Sequence, residues 1–132
     1  MNKLEISIDS KLDQVVLVEN FIDHFYDVFN LSSELYGRIT LSAIEAVNNA
    51  ILHGNKRNFN KCVTIIATKS DKDVKITVMD EGNGFDYSII PDPTLPDGMI
   101  HTTGRGLYLM KTLSDQLIFE NEGSKVTLVY VL

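Results

Sequence analysis

Apolar and polar residues alternate with two different periods along this chain, and each change of period marks a predicted element. Residues 3–8 alternate strictly, which is typical of a short strand. In residues 12–29 the apolar positions recur every three or four residues, as in an amphipathic helix packed on a sheet. A second helix is predicted from about residue 33 to about residue 52, with a serine at its start and Gly54 as its stop.

The second half of the chain is predicted to contain short strands, one long loop and one short helix. Residues 86–103 carry all three prolines, and loops of that length inside a compact domain are usually functional or disordered. Short turns between neighbouring strands imply an antiparallel or mixed sheet, and three helices need one covered face. The predicted fold is therefore α/β (α+β), a two-layer sandwich with a mixed, mostly antiparallel sheet and the helices on one face. The remaining elements are strands near 62–68, 73–80, 115–121 and 124–131, and a helix at about 105–113.

Length, charge and cysteine content narrow the class of protein. We expect the 132 residues to form one domain, large enough to bury roughly two-thirds of the surface of the unfolded chain. The net charge of -6 argues against binding nucleic acid by phosphate neutralisation. The single cysteine cannot form an internal disulfide, and the three histidines lack metal-ligand spacing. Because neither a signal peptide nor a membrane-spanning run is visible, we expect a soluble protein of the reducing cytoplasm.

Residues 80–84, Asp-Glu-Gly-Asn-Gly, are the most informative stretch of the sequence. Asp80 follows a strand-like run in phase with its apolar residues, which aims the carboxylate at the covered face. A buried carboxylate needs a hydrogen-bond donor, and the exocyclic amine of a ligand is one such donor. Gly82 and Gly84 would let the backbone turn sharply against that ligand. Taken alone, the same residues are also typical of a polar hairpin turn.

Glu45 and Asn49 stand four residues apart on the second predicted helix, so they lie on one face. An amide oxygen is a hard ligand that suits Mg²⁺, and a carboxylate can accept a proton from an attacking hydroxyl or water. Taken alone, the pair is more typical of a solvated helix flank, and the neighbouring Asn48 could be mistaken for the ligand. His53, at the helix end, is interpreted as a residue that caps carbonyls or interacts with the helix dipole, not as a catalytic one.

A second glycine pair, Gly104 and Gly106, begins the last predicted helix. Free amides at a helix N-terminus attract phosphate, and glycine lets the phosphate approach the backbone. A loop hinge followed by a helix start explains the same residues equally well. The surrounding residues form neither a Gly-x-x-x-x-Gly-Lys-Ser/Thr phosphate loop nor a Gly-x-Gly-x-x-Gly dinucleotide fingerprint.

The order of these motifs resembles the GHKL ATPase superfamily, whose members include type II topoisomerases and sensor histidine kinases. The helical Glu-x-x-x-Asn, the Asp-x-Gly-x-Gly turn, the long loop, the Gly-x-Gly helix start and a final Gly-Ser follow one another over nearly the whole chain. More narrowly, residues 45–55, 91–94 and 104–107 resemble the bacterial anti-sigma factor serine kinases, stand-alone domains that control sporulation and stress responses. The resemblance implies the histidine-kinase-like ATPase (Bergerat) fold, with an ATP lid at about 86–103.

The resemblance also implies roles at both ends of an ATP molecule. Glu45 would activate the hydroxyl of the phosphate acceptor, and Asn49 would ligate Mg²⁺. Asp80 would bind the adenine amino group. This group is a hydrogen-bond donor of the kind that a carboxylate aimed at the covered face needs. Gly82 and Gly84 would let the backbone pass close to the base and would hinge the lid.

Further ATP contacts are implied for the second glycine pair and for the chain before the last strand. Gly104 and Gly106, with the amides of Arg105 and Leu107, would sit on the phosphates, and the Arg105 side chain could add charge there or contact a partner protein. Ser124 stands where the family usually has threonine. Serine keeps the hydroxyl near adenine and loses the methyl group.

These roles imply a Mg-ATP-dependent protein serine/threonine kinase that phosphorylates a small anti-anti-sigma protein, sequesters a sigma factor and acts as a homodimer. One alternative is a binding-only regulatory module that uses ATP as a structural ligand. Another is the catalytic half of a sensor histidine kinase, which we disfavour because no dimerisation helices with a phosphoacceptor histidine precede the ATP domain. The presence of Glu45 argues against the binding-only module without excluding it, since a pure binder needs no base.

Overall fold

The computed structural model describes residues 2–82 and 102–132, with side chains in the second range from residue 106 onward. The predicted succession of elements is confirmed within these ranges. In chain order the elements are β1 (Lys3–Asp9), a 3₁₀ turn (Leu12–Gln14), α1 (Val15–Phe29), α2 (Ser33–Asn49), a π-helical turn (Ala50–Gly54), β2 (Cys62–Lys69), β3 (Asp73–Met79), α3 (Thr102–Leu113), β4 (Gln116–Glu120), a second 3₁₀ turn (Asn121–Gly123) and β5 (Lys125–Val131).

The described strands form one sheet in the order β1-β2-β3-β5-β4. Every neighbouring pair is antiparallel, so the sheet is simpler than the mixed one that the sequence allowed. The register aligns Ile6, Ile65, Val78, Val126 and Phe119 in one row across all the strands. Because strand residues alternate between faces, such rows make one face of the sheet apolar.

The helices cover this apolar face, which confirms the predicted two-layer sandwich. The apolar stripes of α1 and α2 point toward the sheet, while their opposite sides are largely exposed. Full burial of a large aliphatic or aromatic side chain contributes about 1.5–3 kcal/mol, so this layer contact is the main source of stability. The largest fully buried side chains are Val18, Ile22, Phe25, Ile39, Val47, Ile51, Ile65, Ile76, Leu107, Met110, Leu128 and Tyr130.

The two ends of α2 differ in how closely the sequence predicts them. At the start, the Ser32 hydroxyl accepts a hydrogen bond from the Leu35 amide at 3.3 Å, as expected of an N-cap. At the end, the α-helix widens into the π turn, in which the Asn55 amide donates to the Ala50 carbonyl at 2.7 Å. The predicted end near residue 52 therefore lies inside this turn. Short π segments of this kind often occur at functional sites.

Asn55 connects the end of this turn to three strands. Its side chain is almost completely buried, with 2% of its surface exposed. The amide nitrogen donates to the Ser10 hydroxyl at 2.8 Å and to the Cys62 carbonyl at 2.9 Å. The amide oxygen accepts from the Glu81 backbone at 2.8 Å. One side chain thus ties the exit of β1, the start of β2 and the exit of β3 to the end of the second helix.

The long predicted loop lies mostly outside the described residues, which leave out 83–101. Its last two residues, Thr102 and Thr103, belong to α3, which begins three residues before the predicted start. Within the described ranges, no helix is both long enough and apolar enough to span a bilayer.

Replacing Asn55 with alanine should destabilise the domain by about 3 kcal/mol, because the change leaves several buried polar groups without partners. Urea unfolding followed by circular dichroism measures this loss. Asn58→Ala is the matched control, since Asn58 is exposed in the same loop and its side-chain oxygen accepts the Asn60 amide. Equal stability of the two variants would contradict a connecting role for Asn55.

Candidate functional site

A narrow pocket lies between the C-terminal half of α2, the sheet and α3. About 10 Å³ of it is accessible to water, roughly the space of a single water molecule, so a larger ligand must move some of the lining side chains. Its wall is apolar except at Asn49 and Asp80, a composition typical of small-molecule sites. The described lining residues are Ala46, Asn49, Ala50, Val78, Asp80, Met110, Phe119, Gly123 and Val126.

Asp80 lies directly after β3, with its carboxylate half-buried at one end of the pocket. The Asp80 amide donates to the Ser124 carbonyl at 2.8 Å, and the carboxylate accepts from the Gly82 amide at 2.8 Å. Burial raises the pKa of the Asp80 carboxyl, while the Gly82 amide and the positive charge of Lys61 partly oppose the rise. Desolvation therefore dominates, and an additional donor from a ligand would favour the ionised form.

Two glycines make room for this carboxylate. A Cβ atom on Gly54 would overlap the carboxylate of Asp80, and one on Gly82 would overlap the carbonyl group of Gly54. Two segments of chain, at residue 54 and at residues 80–82, thus meet at distances that only glycine permits. The sequence predicts Gly54 only as a helix stop, and its contact with Asp80 was missed. The predicted hinge residue Gly84 lies outside the described residues.

Glu45 and Asn49 face the first half of α3, and Asn49 also lines the pocket. A Cβ atom on Gly106 would lie 3.0 Å from a carboxylate oxygen of Glu45 and 3.5 Å from both polar atoms of the Asn49 amide. The structure therefore brings the Glu45 and Asn49 pair together with Gly106, which the sequence singled out as part of a separate motif. Asn48, the alternative ligand, is half-buried and is not among the described residues lining the pocket.

The Asn49 side chain suits a bound ion or ligand. It is 6% exposed, and its amide nitrogen has no hydrogen-bond partner among the described residues. A buried polar atom without a partner costs about 1–3 kcal/mol, and such atoms are characteristic of functional sites. The nitrogen and oxygen of a side-chain amide are assigned from their hydrogen bonds. Rotating the Asn49 amide group by half a turn therefore places its oxygen where the nitrogen without a partner stands. The described residues contain no group of three acidic, histidine or cysteine side chains that could hold a metal ion.

This chemistry fits Mg²⁺, which is held by few protein oxygens and takes its other ligands from water and phosphate. Asn49 would be the protein ligand.

The residues predicted to contact phosphate lie at different positions along α3. Because α3 begins at Thr102, the four amides free of helical hydrogen bonds are those of residues 102–105, which include Gly104 and Arg105. Leu107 lies further along the helix, and its side chain is buried in the core. Its amide follows the four free ones, and a phosphate contact by the Leu107 amide stays a prediction.

Ser124 and His53 lie beside the site and are not among the described residues that line the pocket. The Ser124 hydroxyl donates to the Asn121 carbonyl at 2.9 Å, and the Ser124 backbone carbonyl accepts a hydrogen bond from the Asp80 amide. His53 is half-buried in the π turn, and burial lowers the pKa of its imidazole. The lowered pKa favours the neutral imidazole, which interacts more weakly with the helix dipole than the charged form does.

The family follows from comparison with known proteins. The model of the histidine kinase-like ATPase domain matches residues 8–130. The chain belongs to this family. The resemblance derived from the motifs is thereby confirmed, and a domain of this kind binds ATP.

Individual proteins similar to this chain carry more specific names than the domain family does. The chain is similar to the anti-sigma F factor of Clostridium acetobutylicum, at 28% identity over 135 residues, which cover 96% of this chain and 89% of the relative. It is 37% identical to the anti-sigma F factor of Geobacillus stearothermophilus over 91 residues, or 66% of this chain and 61% of the relative.

Among solved structures, the chain resembles the RsbU and RsbW domains of Rv1364c from Mycobacterium tuberculosis. The TM-score is 0.69, the sequence identity is 17%, and the match covers 98% of this chain but 32% of the other. At this level of identity the match shows the fold, and it confirms the predicted architecture.

Substituting Gly54 with alanine should weaken ATP binding roughly tenfold or more, because the new methyl group overlaps the Asp80 carboxylate and overpacking of this kind costs about 1–3 kcal/mol. Isothermal titration with ATP measures the change. The control is Gly37→Ala in α2, where a Cβ meets nothing within 4 Å. That variant should bind ATP normally and gain about 0.5–1 kcal/mol of stability from helix propensity. Normal ATP affinity of Gly54→Ala would contradict this picture.

Asp80→Asn should lower ATP affinity roughly 10- to 100-fold, the scale of a lost hydrogen bond to a charged group. The unliganded variant should nevertheless be at least as stable as the wild type at neutral pH. Burial raises the pKa of Asp80, so ionisation costs stability above that pKa, and the cost disappears as the pH falls through it. Titration and urea unfolding at neutral and acid pH measure both effects. Unchanged ATP affinity would contradict an adenine contact by Asp80.

Proposed function

We propose that this protein is a Mg-ATP-dependent protein serine/threonine kinase that phosphorylates a small anti-anti-sigma protein and also sequesters a sigma factor. The observation that carries the kinase part is the approach of the Glu45 carboxylate to Gly106, beside Asn49. The names of the relatives from Clostridium and Geobacillus support the anti-sigma part. By the same resemblance, we propose a cytoplasmic homodimer.

The order of residues along the pocket supports one orientation of ATP. Asp80 lies at the sheet end, where it would accept the adenine amino group. Asn49 both lines the pocket and faces α3, so it lies between the base and the helix start. Glu45 is one helical turn further, about 6 Å along the axis. The phosphates would therefore extend past Asn49 toward the free amides of Gly104 and Arg105, with the γ-phosphate nearest Glu45.

Transfer at this end requires one base and good positioning. The acceptor hydroxyl of the partner attacks the γ-phosphorus, and its proton passes to the Glu45 carboxylate. The bond between the γ-phosphorus and the β,γ-bridging oxygen breaks, and ADP leaves with the bonding electrons. Mg²⁺, when bound, offsets the negative charge of the phosphates, with the Asn49 amide as its protein ligand.

A binding-only module would need the Asp80 end of the pocket but no base. The tight packing of Gly54 and Gly82 around Asp80 would serve binding equally well in both cases. The nearness of Glu45 to the start of α3 is what favours a kinase, because that position has no use in holding the adenine.

Glu45→Ala should leave ATP binding within a few-fold of wild type and lower phosphate transfer roughly a hundredfold or more, the scale of a lost general base. The assay incubates the protein with Mg-ATP and a small anti-anti-sigma protein encoded by a neighbouring gene, and detects phosphoserine or phosphothreonine by mass spectrometry. Glu34→Ala is the matched control, since Glu34 is an exposed glutamate of the same helix.

The outcomes separate the two functions. Normal transfer by Glu45→Ala would show that Glu45 is not the base. If the wild-type protein binds ATP but phosphorylates none of the candidate partners, the binding-only alternative is favoured instead.

A further inference from the structure

Arg38 joins the first half of α2 to the C-terminal end of α3. Its Nε donates to the carbonyl of Leu113, the last residue of α3, at 3.0 Å. The guanidinium group also lies 3.3 Å from a carboxylate oxygen of Asp115, two residues further along. A cation at this place interacts favourably with the negative end of the helix dipole and satisfies a terminal carbonyl.

The same face of α2 meets α3 a second time, at Glu45. Arg38 and Glu45 are separated by two helical turns, and so are Gly106 and Leu113, which they approach. Seven residues of helix correspond to about 10.5 Å in both cases, so the two helices run antiparallel in matching register. Near its start, α3 thus lies against the Glu45 carboxylate, and at its end it is held by the Arg38 guanidinium, both from one face of α2.

The sheet fixes Arg38 on its other side. The guanidinium lies 5.9 Å from the centre of the Tyr130 ring, whose hydroxyl hydrogen-bonds to Ser42 on α2. The Asp115 carboxylate that pairs with Arg38 also accepts the Val131 amide at 2.7 Å. These contacts hold the guanidinium in one orientation. By contrast, Glu34 is 82% exposed and lies 3.8 Å away, a geometry that contributes little.

We infer that Arg38 is a positioning residue for the nucleotide site: by fixing the end of α3, it sets where the start of α3 stands relative to Glu45 and Asn49. The inference deepens the proposed function and rests on it. A rigid helix of 12 residues transmits a shift at one end to the other. Without Arg38, the amides of Gly104 and Arg105 would therefore no longer meet the phosphates at a fixed distance from Glu45.

The test compares Arg38→Met, which keeps an unbranched apolar stem, with Arg38→Lys, which keeps the charge but lacks the guanidinium fork. At a temperature where both variants are fully folded, Arg38→Met should raise the Kd for ATP roughly three- to thirtyfold, the range of couplings between distant sites. The Kd of Arg38→Lys for ATP should lie between those of Arg38→Met and wild type. Hydrogen exchange should accelerate at the amides of residues 104–107 as well as near Leu113. Glu34→Gln is the control and should change neither quantity.

A purely structural role predicts a different result. Arg38→Met would then lower the unfolding midpoint while the ATP affinity and the exchange at residues 104–107 stayed at their wild-type values, and the inference would be overturned. If Arg38→Met does not fold, Asp115→Asn takes its place and should shift exchange at 104–107 in the same direction by less. Exchange is measured without ATP, so it tests Arg38 even if the wild type transfers no phosphate.

Discussion

One buried amide ties the end of the helical layer to the sheet in this domain. Asn55 directs its hydrogen bonds to three separate segments of chain, and no apolar side chain of the same size could satisfy them. Because one of these bonds holds Glu81, the position of the neighbouring Asp80 depends on the way in which α2 ends. The π turn, the glycine contact and the half-buried carboxylate are therefore parts of a single arrangement in which each requires the others.

Periodicity predicted the elements well because most of them are decided by local burial. The strands and α1 match the predicted spans closely, since each presents a clear apolar stripe to the other layer. The π turn could not be predicted, because the widening at Ala50 depends on tertiary neighbours of Gly54 that are remote in sequence. The early start of α3 at Thr102 was missed as well, since residues 102–103 carry no apolar stripe.

The residues of the candidate site also fall into those that a local pattern predicts and those that only distant contacts reveal. Glu45, Asn49 and Asp80 could be chosen from spacing and strand phase, because each belongs to a local pattern. Gly54 and Arg38 could not, since their importance comes from contacts with residues far along the chain. The one usable signal for Arg38 was its spacing of two helical turns from Glu45, which has meaning only once α3 is known to lie alongside.

The strand order has a consequence for folding. β2 and β3 form one hairpin and β4 and β5 another, each closed by a short connection, whereas β3 and β5 pair across a long stretch of chain. Local hairpins form quickly, and non-local pairing pays a larger loop-closure entropy. The pocket draws its walls from α2, β3, α3, β4 and β5, so it is completed only when the second hairpin docks on the first. We therefore expect a partly folded or incompletely synthesised chain to lack nucleotide affinity.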